Sequence, residues 1–467
     1  MKIGLVGPSY QQSSLPFDAQ RTVNLYPIAD PQGKEVSALY GTPGCILFAN
    51  YGSGPQRGGF SSANGRVFSV SGSGLYELFS DGTTNNRGTL DQSQGNLTFA
   101  ENGLQLAICD GQSLYMFTYA TNLFQKVVTA GLPSAATVTF VGGYFIANEV
   151  NTGKFHTSGL YNGLTWDPLD FATAESSPDN LLRVLNISGQ LFLFGEKTTE
   201  IWGANGSSFF PFSRVAGADM DVGIVGPYAV NAADNTGFWI GRDKQGFGIV
   251  YRANGFTPVR ISNEAIEKRL QEASSPINLK CYSYQEQGHT FVIITGGGME
   301  TAICYDITTQ LFHERAYFNE DGNYELPLAT DCIFAFDKHL TFDRNNANVY
   351  EQKLGYYSDN GEEIARDRIF THISDENKFI KFKNLGIFFA SGVGNQSGLG
   401  RDPQALLSFS NDAGRTFGAN RPQSIGRIGQ YQKVVQWDRL GIARVRTFRV
   451  RVVDPVEVTM IGAYLNT

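Results

Sequence analysis

Residues 181–205 read LLRVLNISGQLFLFGEKTTEIWGAN. An apolar run ends at a Ser188-Gly189 turn. Gln190-Leu191-Phe192-Leu193-Phe194 then runs to a break at Gly195, and Glu200-Ile201-Trp202 closes at Ala204-Asn205-Gly206. Apolar and aromatic runs this short, bounded by Gly, Asn and Ser, are strands joined by tight turns. The same grammar recurs as NGRVFSV (64–70), NGLQLAI (102–108), GGYFIAN (142–148), SGQLFLF (188–194), NTGFWIG (235–241), QGHTFVI (287–293) and FDKHLTF (336–342). Each is followed by a second aromatic strand, such as LYELF (75–79), LYMF (114–117) or TEIW (199–202). A period of roughly 40–50 residues with about four strands per unit is the signature of a β-propeller. Seven units are visible, of which the first and last look incomplete; merged into one blade they would leave six. The expectation is an all-β chain with a propeller of six or seven blades over residues 46–357. Phe192, Phe194 and Trp202 should then pack between blades rather than form a ligand cage.

Composition agrees with many short strands and turns. The chain of 467 residues holds 53 Gly, 34 Phe and 21 Tyr, and only 17% of it is charged. That length exceeds the ~250–300 residues at which one core stops growing, unless the architecture repeats. The net charge of −7 argues against a generic nucleic-acid binder, whose affinity comes from Lys and Arg. No apolar run approaches the ~18 residues of a membrane span, so no membrane insertion is expected. The opening Met1 to Pro8 is too short for a signal-peptide core. Cys45, Cys109, Cys281, Cys304 and Cys332 are odd in number and sit in strand-like runs, which favours free buried thiols. His156, His289, His313, His339 and His372 are scattered without ligand spacing, and neither a nucleophile elbow nor a phosphate loop is present. No catalytic residue, metal or cofactor is expected. Gly296-Gly297-Gly298 reads as a hairpin loop.

Outside the repeat, residues 1–45 carry Pro8, Pro16, Pro27, Pro31 and Pro43 and read as an extended arm lying on the rest of the protein. Ser262 to Glu272 is the one helix, with Ser262 as its expected N-cap. It falls between blades, on the outside of the propeller or against a neighbour. SDNGEE (358–363) reads as a linker, and residues 358–467 form a separate, sandwich-like β domain. Its last strands would be GIARVRTFRVRVV (441–453) and VEVTMIGAYL (456–465), and SGVGNQSGLG (391–400) would be a flexible loop. SNDAGRTF (410–417) is similar to the Asp-box turn of sialidase-like propellers, where the motif is structural.

Charge is distributed unevenly. Residues 414–453 carry Arg415, Arg421, Arg427, Lys433, Arg439, Arg444, Arg446, Arg449 and Arg451 against Asp438 alone. Such asymmetry marks a partner surface. Strict alternation on 441–453 would put Arg444 and Arg446 on one face and Arg449 and Arg451 on the other. A bulge near Thr447 would gather all four. Arg427, Lys433, Arg439, Arg444, Arg446, Arg449 and Arg451 are the candidate protein-docking interface. The bland alternative is a solvated edge that resists strand pairing.

The order of parts resembles the packaged-DNA stabilisation proteins of short-tailed bacteriophages, which form the tail nozzle or tail hub. The resemblance rests on NLYPI (24–28) with GTPGCILFA (41–49), and on SGQLFLFGEKTTEIWGANG (188–206) through VGIVGPYAV (222–230) and FWIG (238–241) to ISNEAIEKRL (261–270). It is completed by SNDAGRTFG (410–418) through the Arg-rich strands to Pro455, Val456, Val458 and Gly462. It implies a non-enzymatic virion protein, assembled in the host cytoplasm, six copies of which form a ring below the portal and its adaptor. That ring would extend the DNA channel and retain the packaged genome. Implied partners are the adaptor, tail fibre or tailspike and tail needle proteins, with double-stranded DNA passing through the lumen without sequence-specific binding. A mostly acidic wall would let DNA slide. The alternative is a propeller glycosidase or carbohydrate-binding protein, which would need two facing carboxylates in a pocket.

Overall fold

The computed structural model describes residues 2–7, 9, 20–29, 37–174, 177–207, 210–376, 378–412 and 414–467. Pro8, Pro16, Pro31 and the Asp-box Ala413 fall outside them. Leu181–Ile187, Gln190–Gly195, Thr199–Ala204 and Phe212–Arg214 form one antiparallel sheet in that order, so residues 181–205 supply three strands of a four-stranded blade. Ser188 (φ 51°) and Gly189 (φ 82°) both adopt left-handed conformation. That is the two-residue turn whose twist matches its strands, and Gly189 meets no neighbour there. The equivalent turns of the fifth, sixth and seventh blades use Asp234-Asn235, Gln287-Gly288 and Phe336-Asp337 in the same way.

Seven such sheets follow around a ring. The first is complete, from Gln56–Ser61 to Thr84–Thr89. The seventh takes only Ala329–Ala335, Lys338–Asp343 and Asn348–Lys353 from its own stretch; its fourth strand is Gly44–Asn50, paired through Asn348↔Asn50 and Lys353↔Gly44. The count is therefore seven, and the last unit is completed by the N-terminal region rather than merged with the first. Gly44 is required at this seam, because a Cβ would stand 2.3 Å from the Ser358 carbonyl oxygen.

Cores lie between blades. The fourth and fifth share Phe192, Phe194 and Trp239, with ring centroids of Phe194 and Trp239 5.6 Å apart. Trp202 meets Phe155 of the third blade edge-on at 5.2 Å. Ala49, Val67 and Leu340 seal the seventh blade to the first. Burying one such large side chain contributes about 1.5–3 kcal/mol, and the seams together hold the ring.

The helix, α1, spans Glu264–Gln271, and its cap is Asn263, one residue later than expected, whose Oδ1 accepts the Ile266 N–H. Ser262 is committed elsewhere: it donates to Glu267 and accepts the Val250 N–H. Ile266 and Leu270 are buried in the core shared by the fifth and sixth blades, so α1 is a wedge between them.

The C-terminal region is a two-sheet sandwich around Leu385, Trp437, Phe448, Val450 and Met460. The arm belongs to both sheets. Leu25–Ala29 and Ser37–Gly41 extend the sheet of Thr459–Asn466, Ile380–Phe389 and Val435–Ala443. Arg21–Val23 lies between Leu311–Arg315, the outer strand of the sixth blade, and Arg366–Ile369 of the other sandwich sheet. One ten-stranded sheet thus runs from the sixth blade through the arm into the sandwich. The stretch read as a linker is also paired, with Asp359 beside Cys45 at the edge of the seventh blade.

At this junction Glu314 accepts from Arg21 (3.0 and 2.6 Å), Ser9 (2.9 Å) and Thr301 (2.8 Å), and pairs with Arg269 at 3.4 Å. Burial opposes its ionisation, but Arg21 and Arg269 outweigh that and hold the carboxyl well below the usual range.

Candidate docking face and propeller funnel

Residues 441–453 are not one strand. Val435–Ala443 belongs to one sandwich sheet and Val445–Val452 to the other, with the crossing at Arg444. Register along Val445–Val452 is regular on both sides, so no bulge at Thr447 gathers the four arginines. Phe448, Val450 and Val452 face the core, and Arg449 and Arg451 face away from it.

Three of the four arginines already have partners within the chain. Arg446, 2% exposed, lies between the rings of Phe382 (4.7 Å) and Phe409 (4.2 Å) and donates to Asn411 and to the Leu440 carbonyl. Arg449 donates to Ser408 at 3.0 Å and lies over Phe417 at 4.4 Å. Arg451 makes two 2.7 Å bonds to Asp367. Arg446 and Arg451 are therefore internal supports rather than docking groups.

Arg427, Lys433, Arg439 and Arg444 are exposed. Arg427 forms only an open 3.4 Å pair with Asp402, and Arg444 lies over Phe379. Arg439 (φ 57°) sits where the edge strand Val435–Ala443 jumps register opposite Phe382 and Asn384. A bulge of that kind blunts an edge against unwanted pairing, so this residue also serves the bland role.

Large apolar side chains are exposed along the same sandwich edge. Phe388 (56% exposed), Tyr431 (72%), Val434 (62%) and Ile442 (59%) are open to solvent. Ile387 pairs with Val435, which sets Phe388 beside Val434, and Phe388 packs on Tyr464 at 5.4 Å. Composition alone does not disclose this patch, because strand periodicity assigns such residues to a core; only the sheet register turns them outward.

The Asp-box turn is structural. Asp412 accepts the Thr416 N–H (3.0 Å) and hydroxyl (2.5 Å), and Ser410 accepts the Gly414 N–H. Bonds from Ser410 and Thr416 hold the Asp412 carboxyl well below its usual range.

One face of the propeller opens into a funnel of 820 Å³ lined by Gln92, Gln112, Asn151, Asn180, Asp110 and Glu196. Tyr228 stands across it from the fifth blade and donates to the Asn96 carbonyl at 3.0 Å, at the entry to the second. Asp110 is spent on its own turn, accepting from Gln112, Ser113 and Tyr115. Glu196 accepts from Asn180. Both carboxylates of the funnel wall are thus hydrogen-bonded within their own blades.

All five cysteines are free and buried, and burial pushes the Cys109, Cys281 and Cys304 thiols up to about 12. Three histidines meet carboxylates that linear spacing does not reveal: His289 with Asp306 (2.8 Å), His156 with Glu149 (3.2 Å) and His339 with Glu286 (3.7 Å). Among the described residues no group of three His, Cys, Asp or Glu is placed to hold a metal ion.

Among solved structures, the chain is similar to the extracellular domain of BT4673 from B. thetaiotaomicron, with 8% identity and a TM-score of 0.45, over 84% of this chain and 48% of that one. It spans about half of that relative. The WD40 β-propeller domain of Doa1 gives 11% identity and a TM-score of 0.41, over 67% of this chain and 98% of that one. No curated protein matches. Residues 1–352 match the family described as bacteriophage P22 Gp10, β-propeller, and residues 366–467 match bacteriophage P22 Gp10, β-sandwich. The chain, a seven-bladed propeller continued into a sandwich, belongs to the bacteriophage P22 Gp10 family of phage structural proteins that stabilise packaged DNA.

Proposed function

We propose that this protein is the tail nozzle of a short-tailed phage. Six copies form a ring below the portal and adaptor, prolong the DNA channel and retain the genome. The observation that carries the docking part is the sandwich edge: Phe388, Tyr431 and Val434 are exposed beside Lys433, and Ile442, Arg439 and, at its end, Arg444 are exposed further along the same edge strand. Large apolar side chains exposed among charged ones along one sheet edge suit a protein-contact surface. The cations suit an acidic neighbour, and the adaptor is the partner assigned to this face.

The DNA channel lies between subunits. Within each propeller Tyr228 of the fifth blade reaches across to the Asn96 carbonyl, and amides predominate among the polar residues of the funnel beside it.

The test is assembly of purified protein onto adaptor rings, read by sedimentation and electron microscopy. Wild type should attach as a ring of six. A Val434→Asp, Arg439→Glu double variant should stay folded and fail to attach. Attachment of that variant at wild-type level would remove the docking assignment, and a wild-type chain that stays monomeric and hydrolyses a glycan would sink the nozzle reading.

A further inference from the structure

Beside the funnel lies a second cleft of 710 Å³, between the fourth and fifth blades and the connection that follows α1. Lys197 enters it from the turn between the second and third strands of the fourth blade. Arg242 and Lys244 enter from the equivalent turn of the fifth. All three are exposed, and none has a side-chain hydrogen bond or ion pair among the described residues. Ser274, Ser275 and Ile277 form the opposite wall. Ser275 Oγ accepts from Asn278, which leaves its hydroxyl proton available.

The acidic groups nearby are engaged with backbone donors. Asp243 accepts the N–H groups of Gln245 and Gly246, and Asp179 accepts those of Lys197 and Thr198. Three unpaired cations on one cleft of an acidic chain have no structural use within the fold. An internal pair would give at least one of them a carboxylate at contact distance, as Arg214 has in Asp219. Two separate turns thus bring to one cleft the Lys and Arg charge on which phosphate-backbone affinity depends.

We infer that this cleft holds the phosphate backbone of duplex DNA, with Lys197, Arg242 and Lys244 each taking a phosphate and Ser275 donating a further hydrogen bond. The inference rests on the nozzle reading for the presence of DNA and adds where the protein grips it. Contact to phosphates alone fixes position without reading sequence. A grip of this kind on a mostly repelling wall would act as a brake on the genome.

The experiment uses the full-length free chain and two fluorescent duplexes of unrelated sequence, with anisotropy followed across a salt series. Both duplexes should bind alike. Because each phosphate contact contributes about 0.9 to the slope of log Kobs against log salt, a Lys197→Ala, Arg242→Ala, Lys244→Ala variant should flatten that slope by about 2.7. Each single substitution should lower it by about 1. Removing Lys433 and Arg439 instead should leave the slope as it is. An unchanged slope in the triple variant, or binding that differs between the two sequences, overturns the inference. Since the readout needs no ring, a triple variant that assembles normally with an unchanged slope overturns the DNA grip and leaves the nozzle reading standing.

Discussion

Glu314→Gln tests the joint between propeller and sandwich. Glutamine keeps the shape but has a single accepting oxygen, so it retains at most two of the four bonds donated by Ser9, Arg21 and Thr301, and it removes the charge that Arg21 and Arg269 share. Losing one partner of a buried pair typically costs about 3–5 kcal/mol, because the remaining charge is stranded. Arg21 and Arg269 keep 22% and 20% of their side-chain surface, so water softens the loss and the expected value is about 3 kcal/mol. The pH dependence follows from the direction of the shift. Folding depresses the Glu314 carboxyl, so its stabilisation is complete above the unfolded value of about 4.3 and drains away as pH falls below it. Urea unfolding at pH 7 and at steps down through the acid range should show a gap between wild type and variant that is widest at neutral pH and narrows in acid. A gap under about 1 kcal/mol at pH 7, or one that persists undiminished in acid, would refute the account.

Phe194→Ala empties the seam between the fourth and fifth blades, and thermal or urea unfolding should register a loss of about 3–5 kcal/mol. Gly59→Ala would push a methyl to 2.1 Å from the Phe342 ring at the seam between the seventh and first blades; the expected cost is about 1–3 kcal/mol in the same assay. Arg446→Glu should abolish cooperative unfolding of the sandwich, whereas Arg444→Glu, two residues away, should stay within about 0.5 kcal/mol of wild type. Circular dichroism melts of the pair separate them. A thiol reagent should label none of the five cysteines in the native protein and all five in denaturant; rapid native labelling would contradict their burial.

The blades were legible because each is a local meander: partner strands lie a few residues apart, so turns and alternation are written side by side along the chain. Closure was not. Nothing around Gly44–Asn50 marks Asn348–Lys353 as its partner, since that pairing is set by the geometry of a ring. The same limit hid the role of Arg21–Val23, a three-residue strand that joins two bodies. The basic stretch shows both sides of the matter. Its charge excess is plain in the sequence, yet the fate of each arginine depends on the sheet change at Arg444, which puts Arg446 inside and leaves Arg444 outside. The helix cap slipped by one residue because Ser262 and Asn263 are equally good capping types. The choice was made by Glu267, which engages the serine hydroxyl.

The threaded arm has a consequence for synthesis. Arg21–Val23 pairs with Arg366–Ile369, Leu39 with Met460, and Gly44–Asn50 with Asn348–Lys353. At ~5–20 residues per second, these first-made strands wait tens of seconds for partners that leave the ribosome last. Blades one to six can form as they emerge, each from its own stretch of chain. The ring closes once Asn348–Lys353 arrives, but the sandwich closes only with Thr459–Asn466, so a chain cut before that last strand presents Ser37–Gly41 as an unpaired edge. Premature termination near the C-terminus should therefore yield a molecule prone to aggregate, not a shortened part fit to enter a tail.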